Sequence, residues 1–185
     1  MIRFLATLAL LLAALAVSGC TSPPNPSSPF VGKTAPEVSV VDVQGNALRL
    51  SELRGRVVVL DLMGVNCPPC REQMPYFVRF ADRHGGGNAQ SGEGVVMMSV
   101  DLAATFPGLG ARNDDEVRAF AQEYRAGWHF AQDLDSAVGT AYRPVGLPTV
   151  VIVDANGVIQ FRKDGGVVSD ETLERELQRI GGQTA

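Results

Sequence analysis

Arg56-Val-Val-Val-Leu-Asp-Leu-Met63, followed after Gly64-Val65-Asn66 by Cys67-Pro-Pro-Cys70 and then by Arg71-Glu-Gln-Met-Pro75, is the stretch that decides the fold. The run from Arg56 to Met63 is almost continuously β-branched or aliphatic, as suits a strand covered on both faces and therefore central in its sheet. Beyond the cysteines, Met74, Phe77, Val78 and Ala81 recur at positions i, i+3, i+4 and i+7. That spacing predicts an amphipathic helix to about Arg83, kinked at Pro75. The two cysteines thus fall where a buried strand hands over to a helix. Cys67 is expected at the exposed N-terminal end of that helix, where unpaired amides and the helix dipole favour a thiolate. Pro68 and Pro69 are tolerated there because first-turn amides have no intrahelical partner. One helical turn brings the Cys70 sulfur close enough to resolve a mixed disulfide formed at Cys67.

Two other uses of a close cysteine pair fare worse. A static disulfide here would close too short a loop to remove much entropy from the unfolded chain. A zinc site needs four ligands, and beyond this pair the chain holds only Cys20, His84 and His129 as thiolate or imidazole donors, none at a matching spacing. Cys67 and Cys70 are therefore read as a redox-active disulfide, with no metal and no cofactor expected.

Working outward, Val38 to Leu50 reads as a β-hairpin turning at Gln44-Gly45-Asn46, and Ser51 to Gly55 as a short capped turn. The glycine-rich stretch His84 to Gly94 is a surface loop, and Val95 to Val100 a second buried strand ending at Asp101. A helix is expected from Asp114 to Arg125, with acidic residues in its first turn and Gly127 after it. Trp128 to Ala131 is a short strand, Ser136 to Tyr142 a short helix, and Thr149 to Val153 a strand entering the turn Asp154-Ala-Asn-Gly157. Val158 to Arg162 pairs back, and Ser169 opens a last helix with Leu173, Leu177 and Ile180 on one face. This order describes an α/β domain with a mixed central sheet flanked by helices and an N-terminal β-hairpin extension.

The chain has 185 residues, 45% hydrophobic and 19% charged, with a formal net charge of -4. Those values fit one globular domain and provide no basic surface for nucleic acid. The first nineteen residues combine Arg3, an apolar run from Phe4 to Val17 and the small residues Ser18-Gly19. This is the layout of a secretory signal, and the apolar run is shorter than the ~20 residues of a spanning helix. Val17-Ser18-Gly19-Cys20 resembles a bacterial lipobox, so Cys20 is the expected lipidated N-terminus, and Thr21 to Pro29, rich in Pro and Ser, a disordered tether. A free or disulfide-bonded Cys20 would leave an odd exported thiol. The expected organisation is a signal over 1–19, lipidated cysteine and tether over 20–29, and the domain over 30–182. Its expected location is extracytoplasmic, lipid-anchored to a bacterial cell membrane on the periplasmic side.

The run VVVLDLMGVNCPPCREQMP, with Asp61 six residues before Cys67, Pro75 five after Cys70 and Gly146-Leu147-Pro148-Thr149 far downstream, resembles thioredoxin. The opening VGKTAPEVSVVDVQGNALRLSELRGR narrows the resemblance to the TlpA/ResA-like thiol-disulfide oxidoreductases, many of them membrane-tethered and tied to cytochrome c maturation. It covers about Phe30 to Ile180 and implies a thioredoxin-like fold. It also implies that Pro148 is a cis-proline facing the disulfide. Leu147 would then present its backbone to a substrate strand, and Asp61 would be a buried carboxylate behind Cys70 that relays its proton. The implied partners are proteins with cysteine pairs and a membrane electron-donor protein, with the chain itself a monomer. Two positions depart from the pattern. Asn66 stands where a tryptophan commonly precedes the first cysteine, with Met63 for the aromatic three residues earlier. Gln73 replaces the acidic residue that cytochrome-linked members carry, with Glu72 beside it on another helical face. Trp128, His129, Tyr142 and Arg143 read as packing residues, and Asp101 as a cap of the turn that follows it.

Two rival functions remain. Gly32-Lys33-Thr34-Ala35-Pro36 and the following hairpin are shared with peroxiredoxins, but the proline and threonine or serine of the peroxidatic pattern are Leu60 and Gly64 here. A thiol-based copper or haem carrier would suit soft thiolates, although copper chaperones of this fold use a wider cysteine spacing plus a histidine.

Overall fold

The structure is a computed structural model that describes residues 30–85 and 94–181. The expected signal over 1–19, Cys20 and the tether to Pro29, and residues 86–93 of the glycine-rich loop lie outside the described residues. In chain order the elements are β1 (Ser39–Val41), β2 (Ala47–Arg49), a 3-10 turn (Leu50–Leu53), β3 (Val58–Met63), α1 (Pro68–Arg83), β4 (Val96–Asp101), α2 (Asp114–Glu123), β5 (His129–Gln132), α3 (Ala137–Tyr142), β6 (Thr149–Val153), β7 (Ile159–Asp164) and α4 (Asp170–Gly181).

β3 is buried along its whole length and occupies the middle of a five-stranded sheet ordered β5-β4-β3-β6-β7. β4 runs parallel to it, with Asp61 opposite Ser99, and β5 parallel to β4. Parallel neighbours need crossovers, and the helices α1 and α2 supply them. β6 runs antiparallel to β3 with Thr149 opposite Leu62, and β7 antiparallel to β6. The β6–β7 turn is held by Asp154, whose Oδ1 accepts from the amides of Asn156 and Val158 at 2.9 Å each. Gly157 takes the left-handed φ of 78° that the turn requires. The mixed sheet with flanking helices and a separate β1–β2 hairpin is the thioredoxin-like arrangement implied by the sequence.

The apolar face of α1 buries Met74, Phe77 and Phe80, and α4 buries Leu173 and Ile180. The two helices are joined by Arg79 and Arg83, which reach the carboxylate of Asp170 at 2.8 and 2.7 Å. Together these pairs hold the Asp170 carboxyl at about 2, against the small opposing effect of burial. α1 continues through Pro75 to Arg83 as one helix. α2 begins at the Asn113 cap, whose side chain accepts from Glu116 N at 3.1 Å, satisfying one of the orphan amides of its first turn.

The N-terminal segment crosses the sheet from one edge to the other. At β7 it pairs through Thr34 and Val158, with Gly32 N donating to Ile159 O and Ile159 N to Lys33 O at 2.8 and 2.9 Å. At β5 it pairs through Asp42 and Ala131, with Val43 N donating to Phe130 O at 2.8 Å. The Asp42 carboxylate fastens that end, meeting His129 Nδ1 at 2.8 Å and accepting from the amides of Gln44 and Asn46.

Candidate active site

Cys67 is the N-cap of α1, with extended backbone, and Pro68 and Pro69 occupy the first helical positions. The amides of Cys70 and Arg71 both donate to Cys67 O at 3.1 Å, closing the first turn and bringing the two sulfurs together. Cys67 and Cys70 form a disulfide, with Cα atoms 5.2 Å apart. Exposure does not distinguish the two residues: each is 2% accessible, contrary to the expected exposure of Cys67. The reason lies in the loop that precedes the helix. Val65 N donates to Asp101 Oδ2 at 2.9 Å, Asn66 N to Leu109 O at 2.8 Å, and the Asn66 side chain to Gly110 O at 2.9 Å. The 102–111 loop is thereby stapled against the segment carrying Cys67. Gly64 makes this approach feasible, since a Cβ there would stand well inside contact distance of Leu109 O.

Asp101 caps the following turn through Ala103 N at 3.1 Å, as its position suggested, but it also accepts from Ala111 N and from Val65 N. One buried carboxylate thus organises both the active-site loop and its neighbour. Burial pushes its pKa up, and these backbone donors oppose the rise.

Asp61 lies on β3, 3% accessible, and its Oδ2 accepts from Ser99 Oγ at 2.9 Å. No protein group among the described residues donates to Oδ1. Burial pushes the Asp61 carboxyl up to about 7, with the Ser99 hydrogen bond acting in the opposite sense. Trp128 Nε1 donates to Ser99 Oγ at 3.0 Å, and Phe77 of α1 meets the Trp128 ring edge-on with centroids 6.3 Å apart. Asp61, Ser99 and Trp128 therefore lie on the face of the sheet beneath α1, whose first turn carries Cys70.

The Leu147–Pro148 peptide bond is cis, and both residues are buried. Since Thr149 pairs with Leu62, Pro148 stands at the end of the sheet where β3 passes into the Gly64–Cys67 loop. Thr149 Oγ1 donates to Gly146 O at 2.7 Å and Gly165 N to Pro148 O at 2.8 Å, which ties this turn to the end of β7. A cleft of about 390 Å³ opens at Asn66 and Arg71, which flank the cysteine pair in the chain, and is lined also by Val65, Arg112, Glu116 and Phe120 among others. Arg71 crosses it, donating to Val65 O at 3.1 Å, pairing with Glu123 and lying 5.2 Å from the Phe120 ring centroid.

Gln73 is fully buried and Glu72 is exposed. Trp128, His129 and Tyr142 are buried, whereas Arg143 is exposed. Ser99 gave no sign of its place in the sequence, because its neighbours Asp61, on β3, and Trp128, just before β5, are far from it along the chain. No group of three or more His, Cys, Asp or Glu among the described residues could hold a metal ion.

A family model described as the AhpC/TSA family matches residues 31–162. The thiol-disulfide oxidoreductase ResA of Geobacillus kaustophilus is 30% identical over 182 residues, covering 96% of each chain. The protein of the same name from Bacillus thuringiensis is 29% identical over 151 residues, covering 81% of this chain and 78% of its own. Among solved structures, the thioredoxin domain of a thiol-disulfide oxidoreductase from Bacteroides vulgatus superposes with a TM-score of 0.65 at 22% identity, covering 83% of this chain and 99% of that one. A strand-to-helix disulfide on this fold, in a chain with these relatives, makes the protein a member of the AhpC/TSA family and, within the thioredoxin superfamily, a TlpA/ResA-like thiol-disulfide oxidoreductase.

Proposed function

We propose that the protein is a membrane-tethered, extracytoplasmic reductant of disulfides in exported proteins, cytochrome c precursors among them. The observation that carries the exchange chemistry is the Cys67–Cys70 disulfide at the N-terminus of α1, over a buried Asp61. In the reduced enzyme the Cys67 thiolate, favoured by the amides of the first turn, attacks a client disulfide and expels one client thiolate. Asp61 takes the proton of Cys70, and the Cys70 thiolate attacks the Cys67 sulfur. That step releases the second client thiolate and leaves Cys67 and Cys70 oxidised. Leu147 offers its backbone to the client strand beside Pro148. Recharging falls to a membrane electron-donor protein, since the cytosolic thiol pool does not reach an exported dithiol.

The tether rests on Val17-Ser18-Gly19-Cys20 and the Pro- and Ser-rich segment after it, which would keep the site near such a donor at a high effective concentration. No helix among the described residues is long and apolar enough to cross a membrane. Intact mass of the purified protein tests the lipid: an unmodified Cys20 terminus would exclude it. The chain is proposed to act as a monomer.

Equilibration with glutathione tests the direction. A reductant should have a potential near or below the roughly -270 mV of thioredoxin, whereas a value approaching the roughly -120 mV of strong oxidants would reverse the assignment.

The AhpC/TSA match begins at residue 31 and so includes the Gly32–Pro36 segment shared with peroxiredoxins, which favours peroxide reduction as a second reading. Leu60 and Gly64 stand against it, because they supply neither the proline nor the hydroxyl of a peroxidatic pocket. A peroxide-consumption assay separates the two.

A further inference from the structure

The hydrogen bonds around Asp61 have a polarity that the donor chemistry forces. Indole Nε1–H can only donate, so Ser99 Oγ must accept from Trp128 at 3.0 Å. The one hydrogen of the Ser99 hydroxyl is then left for Asp61 Oδ2 at 2.9 Å. The chain therefore runs in one direction, Trp128 to Ser99 to Asp61, and it ends on one oxygen of the carboxylate. The other oxygen, Oδ1, has no protein donor among the described residues although Asp61 is 3% accessible.

We propose that Ser99 and Trp128 are positioning residues for thiol–disulfide exchange, committing Oδ2 of Asp61 as an acceptor and leaving Oδ1 as the oxygen that exchanges the proton with Cys70. This rests on the reading of Asp61 as the proton acceptor for Cys70. In the resolving step the Cys70 S–H bond breaks, its proton goes to Asp61 Oδ1, and the Cys70 sulfur bonds to the Cys67 sulfur. The client sulfur leaves with the electron pair of the mixed disulfide. A hydroxyl locked as a donor stabilises the carboxylate over the carboxylic acid, so it also sets the pH at which Asp61 becomes an acceptor. The neighbours that could compete are few. β6 presents Val150 opposite Asp61, and α1 presents Cys70, Met74 and Phe77 among its buried residues. On β4 the next titratable group along the same face is Asp101, held by backbone amides. On β5 that face carries Phe130, opposite Ser99, while His129 stands opposite Met98 on the other face, paired with Asp42.

Trp128 is the single tryptophan of the chain, so indole emission comes from the group at the head of this hydrogen-bond chain. Emission is titrated in the oxidised protein, where neither cysteine ionises, for the wild type, Asp61→Asn, Ser99→Ala and Ser99→Thr. The wild type should show a step that Asp61→Asn abolishes. Ser99→Ala should move that step up by about one to two pH units, the size of a hydrogen bond to a charged group, and Ser99→Thr should restore it. In parallel, the reduced proteins are mixed with dithionitrobenzoate and release of the second thionitrobenzoate, which reports attack by Cys70, is followed against pH. Its midpoint should shift upward in Ser99→Ala and, by less, in Trp128→Phe, whose freed serine hydroxyl can still donate. If Asp61→Asn leaves the release profile unchanged, Asp61 is not the proton acceptor and the underlying reading fails. If Asp61→Asn alters that profile while Ser99→Ala and Trp128→Phe keep the wild-type midpoint, the positioning role is overturned. A wild-type emission with no step dependent on Asp61 also overturns it.

Discussion

Gln73 makes two hydrogen bonds to the backbone of one residue, Val168: its Nε2 donates to Val168 O at 2.8 Å and its Oε1 accepts from Val168 N at 2.6 Å. The amide side chain behaves as an added peptide unit, pairing with the segment between β7 and α4 three residues after Cys70. At this position the family resemblance implies a carboxylate, and a carboxylate could accept from Val168 N but could not donate to Val168 O. Gln73→Glu should therefore destabilise the fold by about 2–4 kcal/mol at pH 8, through a lost donor and a buried charge. The loss should shrink on acidification, because the protonated side chain regains a donor. Urea unfolding at pH 5 and pH 8 measures both, and equal losses at the two pH values would contradict this account.

Asp61 carries a stability cost linked to pH. Burial raises its carboxyl to about 7 from the ordinary 3.8. Between those values the folded protein holds a proton that the unfolded chain has released, so stability falls as pH rises across that window and the full penalty stands above it. A displacement of that size corresponds to roughly 4 kcal/mol. Asp61→Asn should accordingly raise the unfolding free energy by ~2–4 kcal/mol at pH 8 and change it by no more than about 1 kcal/mol at pH 4, while slowing exchange. A gain that is the same at both pH values would show that ionisation is not its source.

Because the two cysteines are equally buried, their order of action depends on position along α1 and not on access. Cys70→Ser should accumulate client proteins joined to Cys67, resolvable on non-reducing gels, and Cys67→Ser should accumulate none. Client adducts that appear only on Cys67→Ser would exchange the two roles.

Asp101 offers a test of the active-site loop. Its carboxylate accepts from Val65, Ala103 and Ala111, so Asp101→Ala leaves three amides to find other partners. A loss of about 2–4 kcal/mol is expected, along with a slower first attack by Cys67, because the staple that holds the loop would be gone. Unchanged attack kinetics in a folded variant would show that the loop keeps its shape without this carboxylate.

Much of this site was legible along the chain, and the reason is local. The apolar run of β3, the helical spacing after Cys67 and the two prolines of the first turn specify a strand-to-helix junction within twenty or so residues. The limits of β6 coincide with the expected ones, and those of β4, α2 and β5 differ by one or two residues, as element ends commonly do. The relationships that escaped are those made across the sheet. Ser99 is an ordinary strand residue until β4 sets it opposite Asp61, and Trp128 reads as packing until its ring nitrogen meets Ser99. Asp101 was legible only as a local cap, since Val65 lies 36 residues away. Cys67 looked exposed because nothing near it in the chain announces the loop at Leu109 and Gly110 that covers its approach.

The N-terminal segment that spans from β7 to β5 bears on how clients can dock. An oxidoreductase that handles unfolded, extended polypeptides risks recruiting them as additional strands, since an open sheet edge is a template for pairing. Here Asp42 and Val43 engage the outer side of β5, while Gly32 to Thr34 engage the start of β7. Strand addition is thereby obstructed at the start of β7 and in the middle of β5. In the docking proposed above, a client in extended form is left the sheet's end, where Leu147 and Pro148 stand level with the end of β3. If clients dock at Leu147 as proposed, the segment would act as a chaperone toward its own domain, turning sticky substrates away from the margins where they would aggregate and toward the sulfurs where they react.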